Sequence, residues 1–148
     1  MKYAKPTHRR GDHRSRSGTT VTELAFILPV VLLLLLGTID FAQVMYAYGA
    51  VSEAARAGAR YAMVHGSMAS SPVGPSANDS TVASVVKNNA PALNPSRLTI
   101  TSSWPSGSNS SGSQVSVSAS YSCPLSIGRM IGLSSVTVTG STTMLITH

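Results

Sequence analysis

The longest hydrophobic stretch of the chain runs from Leu24 to Ile39 and contains no charged residue. At the rise of an α-helix this stretch spans about 24 Å, slightly less than the ~30 Å hydrocarbon core of a bilayer. Tyr46 and Tyr48 follow where an interfacial aromatic belt would lie. Pro29 is inside the stretch, and membrane helices tolerate proline as a kink. The pattern therefore predicts one transmembrane helix.

Beyond Ala42 the pattern becomes that of an amphipathic helix. Apolar or small residues recur at alternating spacings of four and three, as in a packed helix: Val44, Tyr48, Val51, Ala55, Gly58, Ala62 and His65. A second set, the small-residue row, has a spacing of four and consists of Ala50, Ala54, Gly58 and Ala62. Small side chains at this spacing let another backbone approach closely. We expect one helix over residues 19–65, which packs laterally with other helices through this row.

Three charged residues on the outer half of this helix are candidates for ion pairs with a partner. Glu53 and Arg56 can pair at a spacing of three, whereas Arg56 and Arg60 repel each other at a spacing of four. Two interpretations remain open: the arginines stay hydrated on a solvated face, or they meet an acidic group of a partner.

The rest of the chain has the pattern of a linker and a small α+β domain. Gly, Ser and Pro residues end the long helix, and residues 66–78 form the predicted linker. A short helix is predicted from Thr81 to Asn89, capped by Asp79 or Ser80. The strand candidates are Arg97–Ser103, Gln114–Tyr121 and Val136–Thr147. The predicted fold is an α+β membrane protein, with a small antiparallel three-stranded sheet and one short helix over residues 79–148.

Positive charge is concentrated before residue 17. The net charge is +6, and the basic residues of this leader are Lys2, Lys5, Arg9, Arg10, Arg14 and Arg16. The rest of the chain is nearly neutral, with five basic and four acidic side chains. A basic segment directly before a membrane helix keeps the N-terminus in the cytoplasm, so the C-terminal domain is expected outside. We expect no nucleic-acid binding, because no nucleic-acid-binding motif accompanies the basic segment.

A cleavable secretory signal peptide shares this basic and apolar pattern. However, the amphipathic helix continues directly from the apolar stretch. Residues 37–42 include Ile39, Asp40 and Phe41 and offer no clear site with small residues at the cleavage positions. Both features argue against an ordinary signal peptide.

Gly18 and Glu23 indicate a different kind of processing. Glu23 is at the head of the apolar stretch, where a carboxylate is costly and usually has a partner. A cut after Gly18 would make Thr19 the N-terminus, with its ammonium one helical turn from Glu23. The carboxylate could then neutralise the ammonium of its own chain or of a neighbour. The alternative is an interfacial glutamate that reaches toward lipid headgroups.

The run from Arg16 to Pro29 resembles the start of TadE-like proteins, which are minor pseudopilins of tight-adherence (Flp) pilus systems. The shared pattern is a glycine, a glutamate five residues later, an apolar segment and Leu-Pro. The resemblance continues through residues 36–41 and 53–62. Ala57 departs from the family, which commonly has glutamate there, so Arg60 lacks that partner.

The resemblance implies cleavage by a prepilin peptidase between Gly18 and Thr19, with Glu23 as the recognition carboxylate. It implies a single-pass protein of the bacterial inner membrane that helps to build or anchor an adhesive type IV-like pilus. Its partners would be other pilin-like subunits and the pilus assembly machinery. The alternative is a signal-anchored binding or adhesion protein whose exported domain carries the function.

The residue inventory does not favour an enzyme. Beyond residue 64 the histidines are His65 and His148, and Asp79 is the one carboxylate. No catalytic, metal or cofactor site can be assembled from them with any specificity. Cys123 is the single cysteine, which excludes an internal disulfide, and we interpret it as a small, partly buried apolar residue.

Overall fold

One long helix, α1, dominates the N-terminal part of the chain. The computed structural model describes Met1 and residues 16–147, with the backbone alone for residues 16–19, 130 and 131. α1 extends from Arg16 to Val64, and Pro29 lies inside it without ending it. The prediction of one long helix is confirmed. Residues 2–15, the greater part of the predicted basic leader, lie outside the described residues.

The first half of α1 is strongly apolar and exposed. An 18-residue window within Thr20–Val64 has a mean hydropathy of 2.5, and 6% of it is buried. Phe26 is 81% exposed and Leu34 is 69% exposed. Exposure of so many large apolar side chains to water is unfavourable, whereas lipid would cover them without cost. By length and composition α1 can cross a membrane, and among the described residues it is the helix that can.

The chain divides into two compact units, Met1–Leu36 and Gly37–His148. The second unit contains the outer half of α1 together with everything that follows it. The second unit therefore begins inside α1, because the outer half of the helix contributes residues to the core.

The second unit contains a short helix and a sheet. Helix α2 spans Ser80–Asn88, and the strands are β1 at Leu98–Ser103, β2 at Gln114–Pro124 and β3 at Ser135–Leu145. The strand order is β1-β2-β3, and both pairings are antiparallel. The prediction of an antiparallel three-stranded sheet with one short helix is confirmed. Two short 3-10 segments, Pro95–Arg97 and Gly128–Ile131, were not predicted.

The core lies between the sheet, α2 and the outer half of α1. Alternate residues of β2 are buried, as expected for a strand with one covered face. They are Val115, Val117, Ala119, Tyr121 and Cys123. α2 contributes Val82 and Val86, and α1 contributes mostly alanines. The small side chains of α1 bring its backbone close to the other elements.

Gly140 of β3 is one point of close approach. A Cβ atom at this position would lie 2.7 Å from the Cα and 2.9 Å from the backbone nitrogen of Ser52 in α1. Both atoms belong to the helix backbone, so they cannot move aside as a flexible side chain would. Glycine at residue 140 is therefore required for α1 to lie this close to the sheet.

Asp79 fixes the start of α2 and the end of the linker. Its Oδ1 accepts hydrogen bonds from the N–H of Thr81 at 2.8 Å and of Val82 at 3.2 Å, which is N-cap geometry. Its Oδ2 accepts from the N–H of Gly74 at 3.0 Å, and its own N–H donates to Ser102 Oγ at 2.9 Å. Of the two predicted caps, Asp79 is the one observed.

We predict that Gly140→Ala lowers the free energy of unfolding by about 1–3 kcal/mol, the usual cost of overpacking. Gly49→Ala is the matched control, because a Cβ there meets nothing within 4 Å. It should raise the stability by ~0.5–1 kcal/mol through helix propensity. Denaturant unfolding of the full chain in detergent measures both changes. Equal stability of the two variants would contradict the close packing of β3 on α1.

The pH dependence of stability provides a test of Asp79. Burial opposes its ionisation, but hydrogen bonds from the N–H groups of Gly74, Val82 and Thr81 outweigh burial and lower the pKa of the carboxyl below its ordinary value. A lowered pKa in the folded state means that the stabilisation is present at neutral pH. It is lost as the pH falls through the folded-state pKa.

We therefore expect Asp79→Asn to be less stable than the natural protein at pH 7, with a difference that shrinks on acidification below about pH 4. Unfolding curves of both proteins across this range measure the difference. A constant difference at all pH values would exclude the ionised cap as its source.

Candidate functional site

The residues of the predicted processing site lie in the first turns of α1. The bond between Gly18 and Thr19 is in the first turn, where N–H groups have no intrahelical acceptor and the helix opens most easily. Glu23 is exposed on the helix surface, one turn beyond Thr19. This arrangement agrees with the processing hypothesis, and cleavage itself stays a prediction.

Asp40 is a buried carboxylate on α1. It is 7% exposed. Its Oδ1 accepts a hydrogen bond from the N–H of Ser126 at 3.1 Å, and its Oδ2 accepts one from the N–H of Ile127 at 2.8 Å. Both donors belong to residues 125–134, the β2–β3 loop. Asp40 therefore fastens this loop to α1 with both of its carboxylate oxygens.

The position of Asp40 on α1 gives this contact its significance. Asp40 directly follows Ile39, the last residue of the uncharged apolar stretch. The β2–β3 loop is therefore held beside the helix at the level where the apolar stretch ends. We call Asp40 together with the backbone of Ser126 and Ile127 the boundary clasp.

Sequence reasoning did not identify Asp40 as a site residue. Asp40 entered the sequence analysis as an argument against signal-peptide cleavage and as part of the resemblance over residues 36–41. The available signal was the same one that drew attention to Glu23: a lone carboxylate at the edge of an apolar stretch, which needs a partner. The partner was not recognisable, because backbone N–H groups of a distant loop leave no charge pattern in the sequence.

The structure gives the small-residue row a different partner from the one expected. Ala54, Gly58 and Ala62 are buried, and Ala50 is half-buried, by the chain's own domain. A Cβ on Gly58 would collide with Val86 of α2 and would lie 3.3 Å from Val117 Cγ1 of β2. Within the chain this face packs against α2 and β2, and lateral packing of α1 with helices of other subunits stays a prediction. Close approach through small residues serves a helix and a sheet equally well, so the sequence pattern did not distinguish them.

The predicted charged residues lie on the opposite, exposed side of α1. Arg56 Nη1 is 2.6 Å from Glu53 Oε1, and the two side chains are 51% and 66% exposed. A pair this exposed contributes only about 0.3–0.5 kcal/mol to stability. Arg60 is also exposed. These charges are thus presented on the surface and contribute little to holding the domain together.

A largely apolar groove lies beside α1 just beyond the boundary clasp. Its volume is about 480 Å³, and its lining includes Ile39, Tyr46, Leu93, Tyr121 and Cys123. Cys123 is buried, and burial raises the pKa of its thiol, so the thiol stays neutral at pH 7. These properties support a packing role for Cys123. They do not favour a nucleophile.

The sequence model of the family described as TadE-like protein matches residues 18–60. The N-terminal segment of the chain is TadE-like. No curated protein and no solved structure matches the chain significantly.

The TadE-like segment indicates a Tad-pilus-associated protein. It begins at Gly18 and contains Glu23, the apolar stretch and Asp40. It ends at Arg60, so α2 and the sheet lie outside the match. Asp40 of the boundary clasp therefore lies inside the matched segment, whereas the β2–β3 loop that it binds lies outside.

The boundary clasp predicts a local effect of Asp40→Asn. The Asn side chain retains one acceptor oxygen but turns its NH₂ group toward a backbone N–H, so one hydrogen bond is lost and two donors face each other. We expect faster hydrogen exchange at the amides of Ser126 and Ile127, with little change in the centre of β2. Exchange measured on the full chain in detergent tests this expectation.

Gln43→Ala is the control for Asp40→Asn, because Gln43 is exposed on α1 one turn away and takes no part in the clasp. It should leave exchange in the β2–β3 loop unchanged. If the β2–β3 loop amides exchanged at the same rate in the natural protein, Asp40→Asn and Gln43→Ala, Asp40 would not hold the loop.

Proposed function

We propose that the chain is a minor pseudopilin of a Tad (Flp) pilus, a single-pass protein of the bacterial inner membrane that takes part in pilus assembly or anchoring. The observation that carries the proposal is the TadE-like match, which begins at Gly18 and includes the exposed apolar half of α1. The basic leader supports a cytoplasmic N-terminus and an exported second unit.

In this proposal a prepilin peptidase cleaves between Gly18 and Thr19. Cleavage removes the basic leader and creates an ammonium group at Thr19. Glu23 lies one turn along α1 and is exposed, so its carboxylate is accessible to the peptidase before the cut. After the cut it can pair with the new ammonium of its own chain or of a neighbouring subunit, which lowers the cost of both charges near lipid.

Contacts with other pilus components would use the uncovered side of α1. The small-residue row is occupied by the chain's own domain, whereas Met45, Tyr48 and Arg60 are exposed on the outer half of the helix. Aromatic residues and arginines are common at the centres of protein interfaces. This side of the helix is therefore the surface that we assign to partner subunits.

Mass spectrometry of the N-terminus, in cells with and without a prepilin peptidase, tests the processing step. We expect a mature chain that begins at Thr19 only when the peptidase is present. Gly18→Leu should leave the leader in place, because a bulky side chain is introduced at the scissile bond. Gly37→Ala is the control, since a Cβ there meets nothing within 4 Å, and it should be cut normally. A leader that persists in both strains would contradict the proposed processing.

Replacement of Glu23 separates membrane insertion from assembly. Glu23→Gln keeps the size of the side chain but removes the charge that would pair with the ammonium of Thr19. We expect normal membrane insertion and reduced pilus assembly, measured by membrane fractionation and by the amount of surface pilin. If Glu23→Gln reduced membrane insertion as much as pilus assembly, Glu23 would act in insertion and not in assembly.

A further inference from the structure

Two exposed arginines share a pocket at one end of the sheet. The pocket has a volume of about 340 Å³ and is lined by Arg97, Ser122, Pro124, Arg129, Ser134 and Ser135. Arg97 directly precedes β1, and Arg129 is in the β2–β3 loop. We call this the arginine pocket. No carboxylate of the described residues is among those that line it.

The arginine pocket lies at the end of the sheet that the boundary clasp fixes. Pro124 at the end of β2 pairs with Ser135 at the start of β3, and the loop between them is the one that Asp40 holds. The opposite end of the sheet is marked by Thr147, whose N–H donates to the carbonyl of Met63 at 3.0 Å. Asp40 and Met63 are about 35 Å apart along α1 at 1.5 Å per residue.

The chain itself fixes which end of the sheet is closer to the membrane. Asp40 directly follows the apolar stretch, so an α1 that spans a bilayer places the boundary clasp at the bilayer surface. The β2–β3 loop and the arginine pocket are attached at the same level. The end of the sheet near Thr147 lies farther along the helix.

The chemistry of this end suits a lipid surface. Arginine binds phosphate oxygens with two parallel N–H donors, and serine hydroxyls supply further donors. Leu133 in the same loop is 55% exposed, and Val136 at the start of β3 is 38% exposed. Basic and apolar side chains together are typical of segments that rest in the headgroup region of a membrane.

We propose that the arginine pocket binds the phosphate of an anionic phospholipid headgroup in the leaflet from which α1 emerges, while Leu133 of the β2–β3 loop contacts the acyl boundary. The exported unit is then held to the membrane at two points, by α1 and by the loop. Lipid binding by the arginine pocket rests on α1 as a membrane anchor but does not require cleavage after Gly18. An experiment can therefore contradict the lipid-binding proposal without contradicting the processing proposal, and the reverse also holds.

The test compares the full chain in lipid nanodiscs with and without phosphatidylglycerol, in a phosphatidylcholine background. Hydrogen exchange of residues 125–135 is the readout. We expect phosphatidylglycerol to slow exchange in this segment. Arg97→Gln and Arg129→Gln should each weaken the response about fivefold, the usual effect of one basic residue at an anionic surface. The double variant should lose the response.

Two further variants control for charge and for folding. Lys87→Gln removes an exposed positive charge from α2 outside the pocket and should respond like the natural protein. The double replacement by lysine keeps both charges and should retain most of the response. Unchanged exchange at the centre of β2 confirms that each variant is folded.

Four results would overturn the proposal. The first is equally slow exchange of residues 125–135 in phosphatidylcholine alone, which would mean that the loop contacts the bilayer without binding anionic headgroups. The second is equal protection by inorganic phosphate added to phosphatidylcholine nanodiscs, which would indicate a soluble phosphate ligand. The third is protection in neither lipid. The fourth is a response that survives in the double glutamine variant.

Discussion

The hydrogen bonds that Asp40 accepts from the amides of Ser126 and Ile127 join α1 to the β2–β3 loop. They set the level at which the sheet lies along α1, and they do so directly beyond the apolar stretch. The other close contacts between α1 and the domain agree with this alignment, since Gly140 lies against Ser52 and Gly58 lies against Val86.

This arrangement makes the outer half of α1 an internal element of the second unit. The small-residue row faces the sheet and α2, while Glu53, Arg56 and Arg60 remain on the surface. One helix thus combines three environments along its length: an apolar stretch suited to lipid, a boundary carboxylate and a half-covered outer segment. A subunit that assembles laterally through α1 would use the uncovered side.

Much of the fold was predictable, because each element leaves a local pattern. The apolar stretch predicts a long helix, and Asp79 predicts the start of α2. The alternation of Val115, Val117 and Ala119 predicts a strand. None of these predictions needs tertiary information. The role of Asp40 was not predictable, since its partners are backbone amides more than eighty residues away. The partner of Gly58 was not predictable either. A row of small residues signals close approach but carries no information about which backbone approaches.

The direct test of this description is nuclear Overhauser contact between Gly58 Hα and the methyl groups of Val86 and Val117, in the full chain in detergent micelles. A sample that mixes differently labelled chains separates contacts within one chain from contacts between chains. The structure predicts strong contacts within one chain. Absence of these contacts, with contacts instead between the α1 helices of different chains, would contradict the placement of the small-residue row against the chain's own domain.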